Sequence, residues 1–298
     1  MSRSTLEQWR MFRAVVEHGG FAQAAEAIHK SQSSINHAVH KLQDQLDLKL
    51  LEVVGRKAQL TAAGELMLRR AGQLIDQAEQ LETIAESLAQ GEEAQLRVAI
   101  DEVYPQHCLA EALEQLSTEF PYTRVELVET VLSGGAERLF KGDVDLLVAG
   151  DVPQGFLGEA LMDVEFIAVA HPAHALHSLG RTLNLQDLAA ERQIVVRDSA
   201  TGRRIDSGWL GAEQRWTVSH VATSITMISR GMGFAWLPIT RIRDELTEGR
   251  LRELALERGS RRQVSLFLTY ADSDKAGPAT CRLGELLIEQ ARSDLSFD

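Results

Sequence analysis

Two cysteines in 298 residues, Cys108 and Cys281, are too few for a disulfide framework and fit a reducing compartment. No stretch approaches the roughly 18 consecutive apolar residues that span a bilayer, so no membrane partner is expected. The opening residues 1–9 are polar and lack the apolar core of a secretion signal, which makes the expected location cytoplasmic. A glycine-rich phosphate loop, a G-x-S-x-G elbow and a metal-binding helix motif are all missing, so nothing points to an enzyme. His171, His174 and His177 have a metal-like rhythm, but Pro172 breaks any helix that would align them. No metal and no other cofactor is expected.

Acid is missing in one place. The net charge of −12 argues at first against a polyanionic partner. Yet residues 1–60 hold eight Lys/Arg against six Asp/Glu, and residues 27–43 hold no acid while carrying Lys30, Lys41, His29, His37 and His40. A nucleic acid is met there more easily than anywhere else on the chain.

The first sixty residues have helical periodicity. Leu6, Trp9, Phe12 and Val16 make one apolar face, ended by Gly19-Gly20. Phe21, Ala24, Ala25 and Ile28 make a second, shorter face whose alanine pair admits a close neighbour. Ser31 is positioned to cap a third helix, with Ile35, Val39, Leu42 and Leu46 on its apolar side. Its other side shows Ser33, Ser34, Asn36, His37, His40 and Lys41. Residues 49–60 suggest a two-stranded wing with Gly55-Arg56-Lys57 at the tip.

A long helix follows. Met67, Leu74, Leu81 and Leu88 are spaced by seven, with Ala71, Ala78 and Ala85 four after each of the first three. This a/d pattern predicts a partner helix. From about residue 94 short apolar strands alternate with helices, which indicates parallel α/β architecture. Strands are expected at 95–100, 125–128, 144–148, 166–170, 194–196, 217–218, 233–237 and 264–270. Helices are expected at 109–120, 136–141, 222–230 and 282–292. Some two hundred residues suffice for two lobes with a ligand crevice between them.

Phe12, Val15, Phe21, Ala24-Ala25, Ile28, Ser31-Gln32, Ile35, Val39, Leu42, Leu46, Leu60-Thr61 and Ala63-Gly64 stand in an order and spacing that resemble the LysR-type transcriptional regulator family. The segments from Gly142 to Leu146 and from Gly231 to Pro238 resemble that family's effector domain. The resemblance implies an α+α/β protein in three parts. These are a winged helix-turn-helix at 1–62, a dimerisation helix at 63–91, and a two-lobed effector domain at 92–298 like periplasmic binding proteins. Lobe one would comprise 94–163 and 269–298, lobe two 164–268, with hinge strands near Val164 and Phe267. The implied partners are a near-palindromic double-stranded DNA operator, a small-molecule effector, further copies of the chain in a homodimer or homotetramer, and RNA polymerase. Several positions depart from the family pattern: Ser33 for a common proline, Asn36 for serine, His37 for arginine, Asp47 for glycine, Leu51 for phenylalanine and Val53 for a wing arginine.

Carried onto this sequence, Gln32, Ser33, Asn36 and His37 are the candidates for base contact, since amides and short donors at a helix start reach base edges. Lys30, Ser31, Ser34, Lys41, Arg56 and Lys57 are candidates for phosphate contact. Met67, Ala71, Leu74, Ala78, Leu81, Ala85 and Leu88 would form the dimer seam. Asp101, Tyr104, Ser133, Arg197, Ser199, Thr223 and Trp236, at strand ends and helix starts, are the effector candidates. A guanidinium at 197 would hold a carboxylate, which suggests a small organic acid. The rival readings are a cytosolic small-molecule-binding protein and a redox-sensing regulator without a metabolite. Cys108 and Cys281 both fall in lobe one, whereas a peroxide-sensing pair is expected in lobe two.

Overall fold

The computed structural model describes residues 3–54 and 57–295, in two compact units, Met1–Gln90 and Gly91–Asp298. In the first unit α1 (Leu6–Glu17) opens on a capping box. Thr5 Oγ1 accepts the Gln8 N–H at 3.3 Å, and Gln8 Oε1 accepts the Thr5 N–H at 2.8 Å. Gly19, at φ 76°, turns the chain toward α2 (Phe21–Ala27) and α3 (Gln32–Leu46). Phe12, Val15, Ala24, Ile35, Val39 and Leu42 are buried together between the three helices. β1 (Leu51–Val54) and β2 (Lys57–Leu60) pair as an antiparallel wing. Gln43 Oε1 fastens the wing to α3 by accepting the Leu50 and Leu51 N–H groups at 2.8 and 3.1 Å.

The long helix α4 (Ala62–Ala89) is capped by Thr61, whose hydroxyl accepts the Gly64 N–H at 2.9 Å and donates to the Lys49 carbonyl at 2.6 Å. A Cβ on Gly64 would sit 2.0 Å from the Leu50 carbonyl oxygen, so only glycine admits this crossing. The heptad expectation needs correction here. Ala71 is buried against α1 together with Ile75, and Met67 packs on the same core, so these positions serve their own unit. Leu74, Leu81 and Leu88 instead stand 52, 67 and 47 % exposed. A straight helix drifts about 20° per heptad against a strict seven-residue repeat. The apolar stripe therefore begins at α1 and ends in the open. Arg13 ties α1 to the flank of α4 through Asp76 at 3.0 Å and Glu79 at 3.1 Å.

The second unit runs β3 (Gln95–Asp101), α5 (Gln106–Glu119), β4 (Arg124–Thr130), α6 (Gly134–Lys141), β5 (Leu146–Ala149), β6 (Gly158–Ala170), α7 (Leu185–Ala189), β7 (Arg192–Val196), β8 (Gln214–Val218), α8 (Val221–Ser229), β9 (Phe234–Pro238), α9 (Arg243–Thr247), β10 (Arg252–Glu253), β11 (Arg261–Tyr270) and α10 (Pro278–Leu295). The strands form one sheet in the order β4-β3-β5-β11-β6-β9-β7-β8, with β10 on β6. The sheet is mixed, not wholly parallel: β3 pairs β4 and β5 in parallel, and β7 pairs β8 and β9 in parallel. Between these sets β6 and β11 are antiparallel to each other, centred on Val164 opposite Val264. The two long strands run through both lobes, and each lobe has its own core. Val98, Leu146, Leu116 and Leu287 pack in one, and Val169, Ile194, Ile228 and Leu237 in the other. The elements α7, α9 and β10, five residues or fewer, are too short to give a readable period.

Candidate functional site

Two surfaces carry the polar chemistry, one in each unit. On α3, Gln32, Ser33, Asn36, His37, His40 and Lys41 are all exposed, while Ile35, Val39 and Leu42 are buried. Spacings of one, four, five, eight and nine put these six side chains on one face. The face carries no carboxylate and projects two amides, a hydroxyl and the Lys41 ammonium. Ser31 is the N-cap; its hydroxyl accepts the Ser34 N–H at 3.2 Å and lies 2.7 Å from the Ser34 hydroxyl. Lys30 pairs with Glu7 at 3.0 Å, both half exposed. Such a surface pair contributes less than about 1 kcal/mol, so a phosphate can displace the carboxylate. Arg56 lies outside the described residues, as does the side chain of Lys57.

In the second unit the lobes enclose a cavity of about 560 Å³. Its wall is mostly apolar: Val103, Val131, Leu132, Phe166, Ile194, Val196, Trp209, Trp236 and Leu237. Trp209 and Trp236 have ring centroids 6.0 Å apart, and the Trp236 indole N–H donates to the Gly259 carbonyl at 2.8 Å. Few polar groups break this wall. Asp101, at the end of β3, accepts N–H bonds from Val103 at 3.1 Å and Leu132 at 3.2 Å. Burial pushes its carboxyl up to about 6, against those two hydrogen bonds, and the Glu102 and Asp198 charges push the same way. Leu132 takes a left-handed φ of 53°, a costly conformation for a branched side chain, held by its bond to Asp101.

The lobes are latched beside the cavity. The Glu102 carboxylate, only 5 % exposed, accepts the Val221 N–H at the start of α8 at 2.6 Å and lies 2.6 Å from His220 Nδ1. Arg241 donates to the Glu102 carbonyl at 2.7 Å. The Ser199 hydroxyl lies 2.9 Å from the Val131 N–H, which it accepts. Ser133 donates to Asp198 at 2.5 Å, and Thr201 donates to Glu137. Burial raises the Asp198 pKa, but its hydrogen bonds from Ser133, Ile205 and Ala200 outweigh that and hold it below the ordinary value. A Cβ on Gly134 would meet Ser199 Oγ at 1.9 Å, so glycine is what lets the lobes touch there.

Of the seven effector candidates, Asp101 and Trp236 line the cavity. Ser133 and Ser199 seal the lobes beside it. Tyr104 is corrected: it is 2 % exposed, and its hydroxyl donates to the Leu287 carbonyl at 2.9 Å inside lobe one. Thr223 lies on the outer side of α8, because one residue along a helix is a turn of roughly 100°; its neighbour Ser224 faces in. Arg197 is exposed and donates to Ser219 Oγ at 3.0 Å, away from the cavity. The sequence reading missed Arg262, Gln193, Ser224, Phe166 and Trp209, all on the wall. The period of two on β11 sends Arg261 and Arg262 to opposite faces, but without a known sheet neither face could be named. His171 and His174 turn their Nδ1 atoms to the N–H groups of Ala173 and Leu176.

A helix-turn-helix joined to a two-lobed ligand module is the architecture of a DNA-binding transcriptional regulator with a substrate-binding domain. Residues 6–65 match the family model described as a bacterial regulatory helix-turn-helix protein of the lysR family, and residues 89–292 match the LysR substrate binding domain. The chain belongs to the LysR family of transcriptional regulators, a family of regulators and not of enzymes. It is similar to the probable HTH-type transcriptional regulator YhaJ of Escherichia coli (strain K12), at 29 % identity over 89 % of this chain and 90 % of that one. It is also similar to a probable hydrogen peroxide-inducible genes activator of Streptomyces viridosporus, at 30 % identity over 83 % and 82 %. Among solved structures, full-length LysG of Corynebacterium glutamicum with bound effector Arg superposes with a TM-score of 0.55 at 19 % identity, covering 97 % of this chain and 98 % of that one. That likeness speaks for the fold alone. No helix among the described residues is long and apolar enough to cross a membrane.

Proposed function

We propose that α3 lies in the major groove of a near-palindromic DNA site and that a small organic acid bound between the lobes controls the outcome at the promoter. The carrying observation is the α3 face: six exposed polar side chains without acid, opposite a buried apolar stripe. Gln32, Ser33, Asn36 and His37 read base edges, with Gln32 suited to pair bidentately with adenine. Lys30, Ser31, Ser34 and Lys41 set register on the phosphates, joined by Arg56 and Lys57 of the wing. The exposed Leu74, Leu81 and Leu88, with Ala78 and Ala85 between them, supply the seam for a second copy, and a homodimer explains why the site is symmetric. Pairing of dimers into a tetramer and contact with RNA polymerase complete the reading.

The test is binding to a duplex that the protein itself enriches from a random pool. Gln32→Ala is expected to bring affinity for that duplex down to the level for unrelated DNA, leaving salt-dependent background binding in place. Unchanged preference would remove α3 from base readout. The redox-sensing alternative is disfavoured by Cys108, whose thiol is buried and pushed up to about 11 by burial, and so is a poor nucleophile toward peroxide.

A further inference from the structure

Arg262 is the outstanding group in the inter-lobe cavity. It sits on β11 beside Arg261, and the two have opposite fates. Arg261 points to the surface and is neutralised twice, by Glu253 at 2.7 Å and Glu165 at 3.2 Å. Arg262 points into the cavity wall, and among the described residues no carboxylate pairs with it. Its cross-strand neighbour on β6 is Phe166, and its guanidinium carbon stands 4.7 Å over that ring. Its one hydrogen bond, to Ser207 Oγ, is long at 3.4 Å, and its Nε has no partner. A partly buried cation with no counter-ion is unfavourable, and it persists where something else supplies the anion. Burial alone shifts the Arg262 pKa, and it shifts it downward, as expected where no acid acts on it.

The rest of the wall describes the body of that anion. Trp209, Trp236 and Phe166 offer flat apolar faces within a volume typical of pockets that enclose whole small molecules. The other polar side chains on the wall, the indoles aside, are Asp101, Asp151, Gln193, Ser207 and Ser224. Ser224 Oγ is fully buried without a partner, and the Gln193 amide donates to the Trp209 carbonyl at 2.7 Å but leaves its Oε1 unused. The Asp101 carboxyl already accepts two backbone N–H groups. We infer that the ligand of this cavity is a ring-bearing monocarboxylate whose carboxylate meets the Arg262 guanidinium and whose ring lies against Trp209 and Trp236. This rests on the reading of the cavity as the effector site, and it moves the anion holder from Arg197 to Arg262.

The experiment uses the full chain, calorimetric titration, and two matched sets of probes. These are benzoate with benzamide, and indole-3-propionate with its amide and with tryptophan. At least one carboxylate is expected to bind ten-fold or more tighter than its neutral amide. Arg262→Met, which keeps the length and the apolar contact with Phe166, is expected to erase that preference while the amide still binds. Ser224→Phe, which fills the cavity, is expected to abolish binding of all probes. An acid-over-amide preference that survives Arg262→Met would overturn the Arg262 assignment and leave the cavity reading intact. Carboxylate binding that survives Ser224→Phe would overturn the cavity reading itself. No binding by either carboxylate to the parent protein would overturn the ligand class. So would a ten-fold preference for tryptophan over indole-3-propionate, because an ammonium would then be part of the recognised group.

Discussion

Asp101 gives the most quantitative handle on the effector unit. Its carboxyl is 7 % exposed, and its pKa is raised by burial from 3.8 to about 6. An acid whose folded pKa is raised contributes its stability below the unfolded value and loses it as pH rises through the folded value. Below pH 3.8 the group is protonated in both states and costs nothing. Between pH 3.8 and about 6 the unfolded chain ionises first, so stability falls, and above that window the full penalty stands. Two pH units correspond to about 3 kcal/mol, a ceiling set by complete retention of the shift. Asp101→Asn removes the ionisation but keeps only one acceptor oxygen for the Val103 and Leu132 N–H groups. The variant therefore loses about 1–3 kcal/mol at every pH through the unpaired amide. The informative quantity is the change in the difference between the two proteins from pH 4.5 to pH 7.5. It is measured by urea denaturation followed at the tryptophans, three of which, Trp209, Trp216 and Trp236, lie in this unit. The variant is expected to gain on the parent by up to about 2 kcal/mol over that range, since about a third of the penalty is already in place at pH 4.5. Stability curves that stay parallel would refute the claim that the cavity holds a destabilised carboxylate. Glu102 and Asp198 face the same region, so the comparison with Asn, not the parent curve alone, isolates Asp101.

Three further outcomes follow from local geometry. Asp47 ends α3 at a left-handed φ of 53°, and Asp47→Gly is expected to stabilise the first unit by up to about 1 kcal/mol, read as a higher Tm. Gly64→Ala places a methyl 2.0 Å from the Leu50 carbonyl and is expected to cost about 1–3 kcal/mol or more, with loss of DNA binding as the wing shifts against α4. Leu81→Glu, on a side chain 67 % exposed, is expected to leave helicity unchanged by circular dichroism while sedimentation velocity shows a smaller assembly.

Much of the first unit was legible because its information is local. A helix face is written in residues three and four apart, a cap in one serine, and a turn in one glycine. Ile35, Val39 and Leu42 are thus assignable to the core, and Gln32, Ser33, Asn36, His37, His40 and Lys41 to the surface, from the sequence alone. The long helix was legible as a helix, but its seam was not. Ala71 and Leu74 look alike in a heptad, and only the position of α1 decides that the first is buried and the second is bare. The effector unit reversed the balance. Its strands and helices were mostly readable, yet the mixed order of the sheet was not, because β6 and β11 acquire their partners from segments about a hundred residues apart.

From the sequence alone came the acid-free exposed face of α3, its cap and its buried side, along with the alternation that builds two lobes. These depend on periodicity and on chemistry within a turn or a strand. Tertiary structure decided which of two adjacent arginines faces the inter-lobe cavity, which serines latch the lobes, and why Tyr104 belongs to a core. Those outcomes depend on what stands across the sheet or across the cleft. A charge counts as paired or unpaired only once its neighbours in space are known.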